Sequence, residues 1–333
     1  MRTPKTLATS LLSLSAAALL ALGAAGAAGA APASGDAPAE TSGVSSHTVV
    51  ETGGAQYWTE ERMRSAIPGD VLAGRAMLKS ANSKAAVHRP AEAGAPTTVE
   101  SQAPSLQATE VQIKANASET PVKHVGKVFF TLGGSNYVCS GNSVSSTNKS
   151  TVSTAGHCLN EGPGAFATKF TFVPAYLDGA APYDKWTAQS LHAPTQWSSG
   201  GDMTYDTGFA VMNPLNGQTL ADVVGASGLE FNAPRGLSYK AFGYPAARPF
   251  DGESLKSCTG TATNDPYNPD FNTQGVPCNM TGGSSGGPWF IGSSSTGYQN
   301  SVNSYGYGSR STTMYGPYWG SVIQQAYSTA AAS

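Results

Sequence analysis

Two stretches of the chain carry residue types that can do covalent chemistry together. Residues 281–288 read Thr-Gly-Gly-Ser-Ser-Gly-Gly-Pro, a pair of serines set among glycines. Glycine takes backbone angles closed to other residues and lets a substrate come close to the main chain. If the N–H groups of Gly283 and Ser285 converge, they cradle a developing oxyanion. Serine is a weak nucleophile until a base takes its proton, and that base needs a carboxylate to hold it. Thr154-Ala155-Gly156-His157-Cys158 supplies a histidine directly after the β-branched run Ser150–Thr154. A Ser/Gly run alone reads equally well as a flexible loop; the histidine block gives it chemical meaning.

The order of these groups along the chain narrows the fold. Ser284 and Ser285 each fit the centre of G-x-S-x-G, the nucleophile elbow of α/β-hydrolases, whose acid and histidine follow the serine. No His, Asp or Glu occurs from Gly286 to Ser333, which excludes that arrangement. The base and acid must come earlier. Of the five histidines, His47 and His88 fall in the N-terminal third, His124 near the start of the β-rich region, and His192 in a loop. Each of these reads as solvated or structural, whereas His157 follows a strand signal and precedes a cysteine that can clamp it. Asp206 stands just before the apolar run Gly208–Val211. A carboxylate at the start of a buried strand is well placed to be desolvated and to accept the Nδ1–H of histidine. Asp202 is its rival.

Together, TAGHC at 154–158, YDTGFAV at 205–211 and GGSSGGP at 282–288 resemble the three active-site blocks of the chymotrypsin-like (trypsin-fold) serine peptidases. The likeness is to secreted bacterial members related to glutamyl endopeptidases, and it covers roughly residues 121–333. It implies an all-β fold of two antiparallel six-stranded β-barrels, with the active site between them and a C-terminal helix outside. It implies His157, Asp206 and Ser285 as catalytic triad, with Gly283 and Ser285 as oxyanion hole. Asn279 and Met280 fall on the primary pocket, and Ser304-Tyr305-Gly306 on the strand that pairs with substrate. Three positions depart from family patterns. Ser284 replaces the aspartate that pairs with a freed N-terminal amine in the animal enzymes, so activation by that ion pair is not expected. Asn279 replaces the aspartate of the trypsin type, so cleavage after Arg or Lys is not expected. Asn303 stands where glutamyl-specific members carry a histidine, so a neutral or apolar P1 residue is favoured over Glu. Two rival readings use the same residues. One is an inactive binding module, adhesin or carbohydrate binder, with Tyr305, Tyr307, Tyr315, Tyr318 and Trp319 lining a sugar site. The other is an esterase on the same fold.

The elements that must position these groups are mostly strands. Val125–Leu132, the turn Gly133–Asn136 and Tyr137–Cys139 spell a hairpin. Short apolar runs at Phe170–Tyr176, Gly208–Met212, Ser238–Tyr244 and Trp289–Ile291, separated by Gly/Ser/Asn/Pro turns, continue the pattern. Pro317 opens a C-terminal helix over Tyr318–Ala330. The four cysteines pair by short local loops as Cys139–Cys158 and Cys258–Cys278, the first also matching the family's bridge beside the histidine. Each loop of about 20 residues is worth about 3 kcal/mol on the chain-entropy model. No C-x-x-C spacing is present, and neither metal nor cofactor is required.

Upstream, residues 1–31 read as a secretory signal: Arg2 and Lys5, then a short apolar core Leu11–Leu22, then Ala-x-Ala triplets at 28–30 and 31–33. That core is too short to span a bilayer. Residues 32–120 are rich in Ala, Pro, Glu, Thr and Ser and read as a propeptide with one small helix, capped by Thr59 and stopped by Pro68. A formal net charge of −2 with 12% charged residues argues against nucleic acid or an acidic membrane as partner. The expected partners are a polypeptide substrate and the chain's own propeptide, for a monomer acting outside the cell. Asn116, Asn148 and Asn279 each begin a glycosylation triplet.

Overall fold

Two glycines set the register of the first barrel. Gly133 and Gly134 have φ of 55° and 79°, as a type I′ turn requires, and they join Leu132 to its partner Ser135. The structure, a computed structural model, describes residues 43–82, 94–105, 119–308 and 310–333. The expected leader, His88 and the Asn116 triplet lie outside them. In chain order the strands are β1 (Val44–Thr48), β2 (Ile67–Pro68), β3 (Thr97–Val99), β4 (Val125–Leu132), β5 (Ser135–Val144), β6 (Thr151–Thr154), β7 (Thr168–Pro174), β8 (Trp186–Pro194), β9 (Gly208–Met212), β10 (Leu229–Phe231), β11 (Ser238–Gly243), β12 (Lys256–Thr261), β13 (Thr263–Asn264), β14 (Thr273–Pro277), β15 (Pro288–Ile291), β16 (Gln299–Val302) and β17 (Thr313–Pro317). The helices are α1 (Gly54–Tyr57), α2 (Glu60–Arg64), α3 (Asp70–Asn82), α4 (Thr195–Ser198), α5 (Leu220–Val224) and α6 (Ser321–Ala331).

Six strands close the first barrel. Antiparallel pairing runs β4–β5–β6–β9–β8–β7 and returns to β4. Alternation along β4 explains its burial: Val128, Phe130 and Leu132 point into the barrel core, while Phe129 points outward into a second apolar cluster. With Val125 in the same cluster, β4 carries an apolar patch on its outer face that needs a cover.

The second half departs from a closed six-stranded ring. β12–β11–β15–β16 form one hydrogen-bonded ladder, extended by β10 and β3, and β13–β14–β17 form another. The two face each other around Tyr239, Val276, Met280, Trp289 and Met314. Between β12 and β14 the junction is the Cys258–Cys278 disulfide. Pro277 has no N–H to donate there, and its ring lies against Gly260. Between β16 and β17 the Ser301 hydroxyl donates to the Pro317 carbonyl at 2.8 Å.

The C-terminal helix starts at Ser321 rather than Tyr318, because Trp319 is pulled into the core. Trp319 stacks on Phe231 at 5.7 Å, and its Nε1–H donates to Thr207 Oγ1 at 3.1 Å. Tyr327 of α6 joins the same aromatic group.

Residues 43–105 hold more structure than the single helix expected. α2 forms as read, with Thr59 Oγ1 accepting from the Arg62 N–H. In addition β1 pairs along β8, β3 pairs with β10, and α3 is a full helix. Replacing Trp319 with Ala should lower stability by about 3–5 kcal/mol in urea unfolding; a loss under about 1 kcal/mol would contradict its role as the pin between α6 and the β9 approach.

Candidate active site

The pairing of β6 with β9 brings the histidine and the acid together. Thr154 lies opposite Gly208, so the turn after β6 and the turn before β9 meet. His157 sits in a 3-10 turn, Gly156–Cys158, and Asp206 closes another, Met203–Tyr205. Asp206 Oδ2 faces His157 Nδ1 at 2.8 Å, and Oδ1 accepts the His157 backbone N–H at 2.8 Å. The Ser304 hydroxyl donates to Oδ2 at 2.5 Å. A carboxylate can only accept here, so the proton sits on Nδ1 and Nε2 is left as the acceptor. Nε2 is buried and makes no hydrogen bond. Asp202 takes a different post, capping its turn by accepting the Thr204 N–H at 2.9 Å.

The 281–288 loop is held from three sides. The Ala246 N–H donates to the Gly282 carbonyl at 2.6 Å. Across a trans peptide the N–H points opposite to the C=O, so the Gly283 N–H turns away from Ala246. Gly283 has φ 94°, a conformation suited to glycine. Ser140 clamps the loop twice: its hydroxyl donates to the Gly283 carbonyl at 2.9 Å and its N–H to the Ser285 carbonyl at 2.7 Å. Asn303 donates to the Ser284 and Phe242 carbonyls and accepts from Trp289 Nε1. Its amide is used up inside the protein and turns no group toward a substrate. Of the two serines, Ser284 donates its hydroxyl to the Thr281 carbonyl at 2.8 Å. Ser285 is tied to no such partner.

A cavity of about 300 Å³ opens beside Ser285. It is lined by all five residues assigned to substrate binding, Asn279, Met280, Ser304, Tyr305 and Gly306, together with Ala247, Arg248 and Met314. Asn279 is exposed and supplies no buried polar group to the cavity. The sequence reading missed Ser140, Arg248 and the internal use of Asn303, none of which lies in a local motif that signals its role. It also missed α3, whose Asp70, Ala73, Gly74 and Met77 line the cavity as well.

The other histidines in the described residues are structural. His192 bridges the Ser46 and Ser190 hydroxyls, and burial lowers its pKa. His124 pairs with Asn142 and is likewise lowered by burial. His47 stacks on Phe166. Asn148 is equally committed, donating to the Ala330 and Ser333 carbonyls, so its triplet is not presented for modification. Both expected disulfides are formed.

No family model matches the chain. An extracellular metalloprotease of Bacillus subtilis is 27% identical over 184 residues, a match taking in 54% of this chain and 56% of that protein. The chain thus spans just over half the length of that curated relative. Its name raises the matter of a metal. Among the described residues, the one group with metal-ligand atoms close together is Cys139, His157 and Cys158. Both sulfurs are spent in a disulfide and Nδ1 faces Asp206, so these residues do not fit a metal ion. Solved structures match further. The protease Anisep of Arthrobacter nicotinovorans is 82% identical, with a TM-score of 0.65 over 65% of this chain and 99% of its own. The thermostable serine protease AL20 of an extremophilic microorganism is 51% identical, with a TM-score of 0.62 over 64% and 98%. A Glu endopeptidase, 20% identical with a TM-score of 0.52 over 66% and 95%, shares the fold. Matched over nearly the full length of Anisep and of AL20, on the fold of a Glu endopeptidase, this chain belongs to the chymotrypsin-like serine proteases.

Proposed function

We propose that this protein is a secreted serine endopeptidase, made as a proenzyme, in which Ser285, His157 and Asp206 are the catalytic triad. The observation that carries the assignment is the buried Asp206 carboxylate, which fixes His157 with Nε2 as the free base. Ser285 Oγ attacks the peptide carbonyl while His157 Nε2 takes the hydroxyl proton. The resulting oxyanion is held by the Gly283 and Ser285 N–H groups. Collapse expels the amine, which receives the proton back from His157, and leaves an acyl-enzyme. Water, deprotonated by His157, then repeats the sequence and releases the acid. Asp206 stays ionised and steadies the imidazolium.

The cavity supports a neutral, apolar P1 residue. Met280, Met314 and Ala247 offer apolar wall, and no carboxylate of the catalytic domain lines it. Arg248, exposed at the rim, repels Arg and Lys. An esterase reading uses the same steps. A turnover-free binding module is less favoured, because Tyr305 and Tyr315 are buried against each other instead of being presented to a sugar.

Processing is supported by length. Anisep matches 65% of 333 residues, about 216, against 213 for residues 121–333. Export is supported by the leader at residues 1–31 and by the extracellular Bacillus relative.

Fluorophosphonate labelling of the secreted, processed protein tests the triad. The adduct should map to Ser285 by mass spectrometry and vanish in His157→Ala, and Asp206→Asn should lower kcat by about 10⁴. A folded, processed protein that takes no label would overturn the reading. In a peptide library, Leu or Met at P1 should exceed Glu and Arg by at least about tenfold in kcat/KM. A preference for Glu lost in Arg248→Ala would instead assign acidic specificity to that cation.

A further inference from the structure

Residues 57–77 lie along one continuous track on the catalytic domain. At one end Trp58 is wholly buried against Phe129, Val173 and Tyr176, the outer-face cluster beside β4. Its Nε1–H donates to the Lys169 carbonyl at 2.8 Å, and its own carbonyl accepts from Lys185 Nζ at 3.0 Å. Nearby, Arg64 pairs with Glu253 at 2.9 Å and donates to the Asp178 carbonyl at 3.0 Å. The chain then lies parallel to Tyr137–Val138, and the Gly69 N–H donates to the Val138 carbonyl at 2.9 Å.

At the other end α3 lies in the cleft and walls the cavity beside Ser285. Ala73 and Ala76 share one apolar cluster with Trp197 and Met203 from the first half and Tyr305 and Tyr315 from the second, so the helix bridges both walls. The Asp70 carboxylate lies against Gly282 so closely that a Cβ there would overlap it, and burial raises its pKa. Helical carbonyls run along the helix axis. The residue over Gly282 therefore presents a carboxylate side chain and no scissile bond.

We propose that this track is a two-point docking surface whose partner is the excised N-terminal segment of this same chain: it remains bound after cleavage, anchored by Trp58 and inhibiting through α3. The proposal rests on the processing inferred above. Anchor and plug are separate, since the Trp58 slot is on the outer face of the first barrel and the plug is in the cleft. Cutting the chain between them and the catalytic domain removes neither contact.

Fluorescent fluorophosphonate labelling read on a gel separates precursor from processed enzyme by size. The wild-type precursor band should stay dark while the processed band labels. Ala76→Glu, which drives a charge between Trp197 and Tyr305, should raise precursor labelling at least about tenfold. A synthetic peptide of residues 54–82, added to processed enzyme, should slow both labelling and peptide hydrolysis, and Trp58→Ala in that peptide should weaken it about 30-fold. The peptide arm leaves the enzyme unaltered, so it holds even if Ala76→Glu fails to fold. A peptide without effect, or equal inhibition by its Trp58→Ala form, overturns the docking surface while leaving processing intact. A precursor that labels as fast as processed enzyme overturns the proenzyme reading itself.

Discussion

A buried carboxylate with three donors is the constraint around which the site is built. Asp206 is removed from water, and an ion in that setting survives only if it is fully hydrogen-bonded. Its donors come from both halves of the molecule: the ring and backbone of His157 from the first barrel, and the hydroxyl of Ser304 from the second. The two halves therefore cannot shift against each other without leaving that charge underpaired. This is how a rigid scaffold keeps the imidazole oriented before any substrate arrives.

The 281–288 loop depends on the same interface. Its glycines permit the backbone path, but they do not choose it. The choice is made by Ser140 on β5, by Ala246 beyond β11 and by Asn303 beyond β16, each fixing one or more carbonyls of the loop. With the Gly282 carbonyl held by Ala246, the Gly283 N–H turns away from Ala246.

The N-terminal segment completes two surfaces that the catalytic domain leaves apolar. Val125 and Phe129 give the outer side of β4 an apolar patch, and Trp58 covers it. Trp197 and Tyr305 give the cleft two aromatic walls, and the small residues of α3 fit between them. A helix carrying alanines can approach both walls at once, where larger side chains would hold it away. Docking this segment thus satisfies the burial that an enzyme must otherwise keep open for its substrate.

Much was legible from local chemistry. The histidine block, the serine block and their order along the chain excluded one hydrolase fold and pointed to another. Gly133-Gly134, Thr59 and Pro317 marked a turn, a cap and a helix boundary to within a few residues, because each acts on its immediate neighbours along the chain. The short cysteine spacings paired correctly for the same reason. What the tertiary structure alone decided involves residues with no local signature. Asp206, and not Asp202, meets His157 because β6 and β9 are neighbours, while Asp202 is consumed by its own turn. Asn303 looks like a pocket residue in the sequence, yet it is an internal peg, since Phe242, Ser284 and Trp289 converge on it. The second half fails to close as one hydrogen-bonded ring because Pro277 meets Gly260 across the gap. And α3, with little periodic contrast in a segment rich in alanine, gains its meaning only from the two walls it meets, which lie more than a hundred residues further along the chain.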